Sequence, residues 1–562
     1  MAGSGNEVQK IDSNITGLRA AEEASLCTLP AVPVWRETEP NGYQDFGGEI
    51  TTVARTPINP SRQRKKGSVT DKDASAGFGT DVTQTNLQRF LRSFCFADFR
   101  EQPNTDSFNK EPVYNPDGTV ATASTKITFT GVTGASGTFT ASGGGLVTEG
   151  FITNHIVLFE GFTNAANNGI KVLTATTATT LVAAGQGVVD ETPPATAKAT
   201  VVGYQFVAND AGSSANGSSF PTLTRAGAFD LTTLGLIPGQ SVFVGGDTAA
   251  TRFTNAANNG VKRVRSVAAG AITLDKSTEA IVDETLSGGE TLQLFFPSRV
   301  LKNESNPDLI KRFSWQFERT LGANDLSAPT NQQAEYVVGS VANELSLNFA
   351  TADKLTADLS FVAADTETLD ENNLPAFFNR TTTAADAIKS DSSNLGSVKV
   401  PVVEADAFNT SSDLSRVALT RVVDGDEDPT PLFAIAQEAT ITINNNAEGN
   451  KGLGVLGSFE ISAGTFEVGG DQTAYFTDVA AQTAVQNAED VSLDFLLVKQ
   501  NAGVSIDLPL LTIGDGRANI ELNQPITVPI SNEAATGAKI DTTLDHTIMF
   551  GFYDYLPTAA DL

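Results

Sequence analysis

Apolar and polar residues alternate along most of this chain, and in one stretch they switch cleanly to helical spacing. In GFGTDVTQTNLQRFLRSFCFADFR, Gly77 to Arg100, the residues Leu87, Phe90, Leu91, Phe94 and Cys95 fall at i, i+3, i+4, i+7 and i+8. That is one stripe of a 3.6-residue helix. Thr85 followed by Gln88 predicts a capping box at its start. Leu87, Phe90, Leu91 and Phe94 are the expected structural core of this helix, each contributing roughly 1.5–3 kcal/mol when buried on a sheet. A second strand, turn, helix, strand arrangement runs from Thr465 to Lys499, with Phe476, Val479, Ala480, Thr483 and Ala484 on one helical face. The first arrangement continues, after a large interruption, into FSWQFERTL, Phe313 to Leu321. Two such units predict two similar β-rich domains.

Period-two patterning predicts the remaining strands. GEITTVAR (Gly48 to Arg55), KRFSWQFERTL, NELSLNFA, KLTADLSFVAAD, ITVPIS and TIMFGFYDYLP all alternate. The segment after Arg55, with Pro57 and Pro60, reads as a loop, and Arg62, Arg64, Lys65 and Lys66 give it a concentrated basic run. A solvated loop or a dock for an acidic partner surface fits that run better than a nucleic-acid site. Residues from about 365 to 415 are rich in Asn, Asp, Ser and Thr and read as a linker or long loop. DGDEDP, Asp424 to Pro429, lacks the spacing of a calcium loop and reads as a solvated acidic turn. Gly452, Gly454 and Gly457 spell GxGxxG, but a strand follows where a dinucleotide site needs a helix, so a turn between antiparallel strands is expected.

Between these regions lies an internal repeat. FTNAANNG occurs at Phe162–Gly169 and again, identically, at Phe253–Gly260, and VVDET (Val188 to Thr192) recurs as IVDET (Ile281 to Thr285). Two tandem modules of about 90 residues are expected, 124–208 and 209–297, inserted at an exposed loop of the first domain and projecting from it. The octapeptide reads as a turn kept in both copies rather than as a ligand loop.

Composition narrows the chemistry. Of 562 residues 33 are Phe and two are Trp, which fits β cores filled by Phe and β-branched side chains. The formal net charge of −29 repels polyanions and anionic lipid, so tight phosphate binding is not expected. Two cysteines, Cys27 and Cys95, cannot staple a scaffold or build a cysteine metal cluster, and His155 and His546 leave little material for histidine chemistry. No cofactor and no metal site is expected, and no catalytic residue stands out. The first residues lack a basic region followed by an apolar core, and no run nears 18 apolar residues. The expectation is a chain made in the cytoplasm that spans no membrane.

Several separated segments, in order, resemble the tail tube (major tail) protein family of long-tailed bacteriophages. They are SRQRKKGSVTDKDASAGFGTDVTQTNLQRFLRSF, TITINNNAEGNKGLGVLG with AYF at Ala474 to Phe476, DVSLDFLLVKQNAGVSIDLPLLTIGDGRANIELNQPI, and MFGFYDYLP. The resemblance covers 34–105 and about 310–562 and leaves out 124–297, which look like small Ig-like β-modules. It implies an all-β fold with one short helix per core unit: two tail-tube-like β-barrels or sandwiches, with two tandem small β-modules inserted in the first. The implied division is an N-terminal arm (1–34), a discontinuous first barrel (35–123 and 298–400), modules at 124–208 and 209–297, and a second barrel (401–562).

The resemblance also implies a structural virion protein that self-assembles into stacked rings, a tube for genome delivery into the host, assembled in the host cytoplasm. Three two-barrel chains would complete a pseudo-sixfold ring, with tape measure and tail tip or terminator proteins as partners. Genomic DNA would pass without tight binding, and no membrane is involved. Arg62, Arg64, Lys65 and Lys66 would form an inter-ring loop. Two other readings compete: a surface-exposed β-repeat adhesin or carbohydrate-binding protein, and a glycosidase with paired carboxylates, for which no spacing singles out a pair.

Overall fold

The computed structural model describes the chain apart from residues 1–15, 31–32, 57, 59, 61–62, 112, 115–119, 123, 216–219, 278–279, 323–332, 370–397, 404, 422–435, 478 and 559–562. The DGDEDP acids, most of the polar stretch after 365, and Arg62 therefore lie outside the described residues. The fold is all-β, as the patterning predicts, with two short α-helices.

One large sheet of 18 strands holds both chain ends of the described region. Its main elements are β1 (Gly17–Glu22), β2 (Val34–Thr38), β3 (Pro40–Arg55), β4 (Lys65–Asp81) and α1 (Gln88–Cys95), then β5 (Ser314–Gly322), β6 (Gln333–Phe349), β7 (Thr356–Ala363) and β8 (Asp365–Leu369). There follow β9 (Leu414–Arg421), β10 (Ala436–Asn444) and β13 (Glu467–Tyr475), with β11 (Glu448–Lys451) and β12 (Ser458–Ser462) between the last two as a separate two-stranded sheet. Last come α2 (Ala480–Gln486), β14 (Val491–Lys499), β15 (Ala502–Asp515), β16 (Thr527–Ala535) and β17 (Met549–Tyr553).

The same order of antiparallel pairing occurs twice. In the first round β4 lies between β3 and β7, β7 leads to β6, and the first part of β6 takes β5 and β8. In the second, β13 lies between β10 and β16, β16 leads to β15, and the first part of β15 takes β14 and β17. The helix α1 follows β4, and α2 follows β13. The rounds join where Glu344–Phe349 of β6 pairs with Ala439–Asn444 of β10.

Packing follows from the residue pattern. Strand β7, TADLSFVA, buries Ala357, Leu359, Phe361 and Ala363 on alternate positions, one face of a half-covered strand. Strand β14, VSLDFLLVK, is apolar almost throughout because both of its faces are covered. Val491, Leu493, Phe495 and Leu497 enter the main core, while Leu496 and Val498 face the inserted strands.

The predicted helix stripe is buried: Leu87, Phe90, Leu91 and Phe94 are all in the core. Phe90 meets Trp315 at 5.0 Å between ring centres, and Phe317 meets Phe361 at 4.9 Å. The helix is less amphipathic than its sequence implies, because Gln88, Arg92 and Ser93 are buried too. Each has a local partner: Gln88 Nε2 donates to the Gln84 carbonyl, Arg92 pairs with Asp98 at 3.0 Å, and Trp315 Nε1 donates to Ser93 Oγ at 2.6 Å.

Local readings need correction at four places. The Thr85–Gln88 capping box does not form: Thr83 Oγ1 accepts from the Asn86 amide, Asn86 Oδ1 accepts from the Thr83 amide, and the helix begins after that turn. The stretch from Lys65 onward is strand β4 rather than loop. Asp365–Leu369, assigned to a linker, is strand β8 paired with β6. Phe476 and Val479, expected on one face of the second helix with Ala480, Thr483 and Ala484, precede that helix, which starts at Ala480; Val479 is exposed and Ala484 fully buried.

The inserted region has its own sheets, of ten and four strands. The strand Lys198–Phe206 pairs with His155–Glu160 of the first repeat and with Leu292–Phe295 of the second. A single core runs from Phe129 through Phe159 and Phe253 to Phe296. The two repeated motifs prove to be parts of one device. Glu191, from VVDET, accepts from the Thr163 and Asn164 amides and from Asn167 Nδ2 of the first octapeptide. Glu284, from IVDET, does the same for Thr254, Asn255 and Asn258. Lys171 donates to the Ala166 carbonyl of the first octapeptide and Lys262 to the Ala257 carbonyl of the second.

Candidate functional site

Among the described residues no group of three or more His, Cys, Asp or Glu side chains is placed to hold a metal. Cys95 is buried among apolar neighbours, which raises its thiol pKa and keeps it protonated. No helix of the described residues is long and apolar enough to cross a membrane. What the surface does offer is exposed strand edge and two protruding hairpins.

The first hairpin is β3–β4, paired from Pro40↔Thr80 out to Arg55↔Lys65. Strand β4 is paired with β7 only over Ala74–Asp81, so the outer half of the hairpin stands past the end of β7. Exposure of both faces explains why β4 shows no apolar alternation over Lys65–Thr70. Arg55, Arg64, Lys65 and Lys66 are exposed at the tip, and Ile50, Val53, Ile58 and Val69 are exposed along it.

The second hairpin occupies the corresponding place in the second round. Strands β10 and β13 continue outward as the antiparallel pair β11–β12, with the GxGxxG glycines at the turn, as expected for a glycine-rich connection. Gly454 and Gly457 hold φ of +84° and +92°, which side-chain-bearing residues rarely adopt. This tip is apolar rather than basic: Leu453, Val455, Leu456 and Phe459 are exposed. The turn was legible from its glycines, but the pattern of LGVLGSF does not say that its apolar side chains are exposed.

The hairpins lie side by side. Lys451 Nζ donates to Asp73 at 2.6 Å and also bonds Asp71. The Lys451 ammonium holds the Asp71 carboxyl below the ordinary carboxylate range. At the opposite end of β13, the β15–β16 connection exposes Ile520, Leu522 and Ile526.

The inserted region is fastened to the second round rather than projecting freely. Ile156, Val202, Phe243 and Phe295 pack on Leu496, Val498, Tyr553 and Leu556. Beside them Arg263 donates to Asp275 at 2.7 and 2.8 Å and to Asp507 of β15 at 3.1 Å, with all three side chains buried. Burial works against the Arg263 charge, but the two carboxylates outweigh it and raise its pKa. His546 Nε2 lies 3.3 Å from Asp507.

Residues 240–534, a little more than half of the chain, match the family model described as phage tail tube protein. The chain belongs to this family of structural tail proteins. The matched span starts inside the second inserted repeat and ends in β16, so it takes in 240–297 and leaves out 34–105. This differs from the segments on which the sequence resemblance rests. No curated protein matches the chain. Among solved structures it is similar to the phage phi92 endosialidase, at 10% identity and a TM-score of 0.12, over 60% of this chain and 52% of that one. The chain thus spans about half the length of that structure.

Proposed function

We propose that this chain self-assembles into stacked rings that form a phage tail tube, the conduit for genome delivery. The family match supports the tube, and the observation that carries the ring is the doubled pairing order of the large sheet. Two equivalent units per chain, 35–123 with 298–400 and 401–562, let three chains make a pseudo-sixfold ring. Residues 124–208 and 209–297 form an inserted pair of modules carried by each chain. The basic run of Arg62, Arg64, Lys65 and Lys66, of which Arg62 lies outside the described residues, is the inter-ring contact, reaching the acidic surface of a stacked copy. A net charge of −29 keeps passing DNA from binding tightly. Tape measure and tail tip or terminator proteins complete the assembly in the host cytoplasm.

Electron microscopy with mass measurement of isolated rings tests this reading. Hollow tubes built from three chains per ring are expected. Six chains per ring would remove the two-unit argument, and a protein that stays monomeric when concentrated would remove the tube.

A further inference from the structure

A cavity of about 510 Å³ lies away from both hairpin tips, where three parts of the chain meet. The first round supplies β2, the inner end of β4 and the turn into α1; the insert supplies Glu160 and Lys198; the second round supplies Ala502, Gly503 and Tyr553. That volume is in the range of small-molecule sites, roughly 300–1,000 Å³. Neither the doubled strand pairing nor the two tips make use of it.

Its walls divide by chemistry. Phe78, Phe90, Trp315 and Phe552 form an apolar side, while Arg36, Arg89 and Arg299 border the other around the ring of Phe108. The Arg89 guanidinium stands 4.0 Å from the centre of that ring and the Arg299 guanidinium 5.7 Å from it. Most of the charge is matched. Arg299 pairs with Asp554 at 2.6 Å and Lys198 with Glu160 at 3.1 Å; at the rim Glu37 pairs with Arg19 at 3.2 Å and Glu39 is exposed to solvent. Arg36 and Arg89, however, share one carboxylate, the Nη2 atoms of both approaching Glu111 at 3.2 and 3.0 Å. Two cations face a single anion.

This corner is short of negative charge on two further counts. Arg36 Nη1 is buried without a hydrogen-bond partner among the described residues, whereas buried polar groups are normally bonded. The Arg89 pKa is lowered to about 10, first by burial and next by the Arg36 charge, so the two guanidiniums oppose each other. One further carboxylate would relieve both; a dianion would exceed the single unmatched charge.

We propose that the cavity binds a small monocarboxylic acid with an aromatic body, its carboxylate completing the Arg36 and Arg89 pair and its ring lying against Phe90 and Trp315. Guanidinium groups take a carboxylate through paired N–H donors, and aromatic walls take a ligand ring in offset or edge contact. Because three parts of the chain wall the site, its occupant holds insert, first round and second round together. The site does not depend on the tube reading.

Calorimetric titration of the full chain with phenylbutyrate, set against its neutral amide and against acetate, tests this. Saturable binding of one phenylbutyrate per chain is expected, with a raised unfolding temperature, while the amide and acetate bind about tenfold or more weakly. Arg36→Met should weaken the acid about tenfold, with the Arg89 and Glu111 pair left in place. Glu111→Gln should tighten it, because the resident carboxylate no longer competes for the same guanidiniums. A merely structural role for these residues would weaken binding in both variants. Equal binding of acid and amide, no binding of the acid at millimolar concentration, or weaker binding in both variants overturns the site. Should Arg36→Met fail to fold, the comparison of acid with amide on wild-type protein and on Glu111→Gln decides it.

Discussion

The first and second rounds of the sheet share an order of strands but differ in how they are filled. The first holds its helix with aromatic rings, Phe78, Phe90, Phe94, Phe317 and Phe361, and its hairpin ends in cations. The second buries Ala484 fully in its helix, ends its hairpin in Leu453, Val455, Leu456 and Phe459, and shares buried charge with the inserted strands. A pairing order can thus be kept while core, tip and neighbours are replaced. What is common to the rounds is backbone, and what distinguishes them is side-chain chemistry.

The largest effect that would sharpen this contrast is expected in the aromatic core. Phe90→Ala should cost about 3–5 kcal/mol, whereas Ala484→Gly in the second helix should cost only about 1 kcal/mol. Urea unfolding of both variants checks it, and equal losses would mean that the helices are equivalent after all. Next, Arg263→Met leaves Asp275 and Asp507 facing each other without their cation and should cost roughly 3–5 kcal/mol. Calorimetry should show the insert and the second round losing stability together; an unchanged transition would mean that the buried pairs do not fasten them.

A smaller effect depends on pH. His155, buried in the insert, has its pKa lowered to about 4 by burial, so the folded state disfavours the charged ring. Its contribution is therefore complete above the unfolded value of about 6.5 and is lost as pH falls from there toward 4, by at most about 3 kcal/mol. His155→Gln should flatten the stability profile in that window, and an unaltered slope would exclude this group as its source. Smallest in stability, within about 0.5 kcal/mol, is exchange of Arg64, Lys65 and Lys66 for Glu on the exposed tip. The same exchange should abolish tube growth seen by light scattering, and so should Leu453→Ser with Phe459→Ser if both tips seat on a neighbouring copy. Normal growth of either variant would remove that tip from the assembly.

Legibility in the sequence followed burial. The helix stripe and strands such as β7 were readable because one face of each is buried, and the doubled strand, helix, strand pattern was visible for the same reason. Strand β4 was not readable over Lys65–Thr70, since both faces are solvated there and carry no alternation, although GEITTVAR opposite it was read as a strand. The capping box failed because Thr83 and Asn86 offer the backbone a competing turn one step earlier. The partnership of Glu191 and Glu284 with the octapeptides was signalled by the near-equal spacing of both repeats, but only pairing in space shows what the carboxylate does. The apolar second tip was hidden, because an exposed LGVLGSF and a buried one have the same pattern.

The strand Lys198–Phe206 has a consequence for how such chains can change length. It sits between His155–Glu160 and Leu292–Phe295, so losing one repeat strips a partner from the survivor's sheet and opens the shared interior. The copied segment is a single repeat, yet the smallest piece that can be gained or shed intact is the couple. Relatives differing in this region should accordingly differ by both repeats at once.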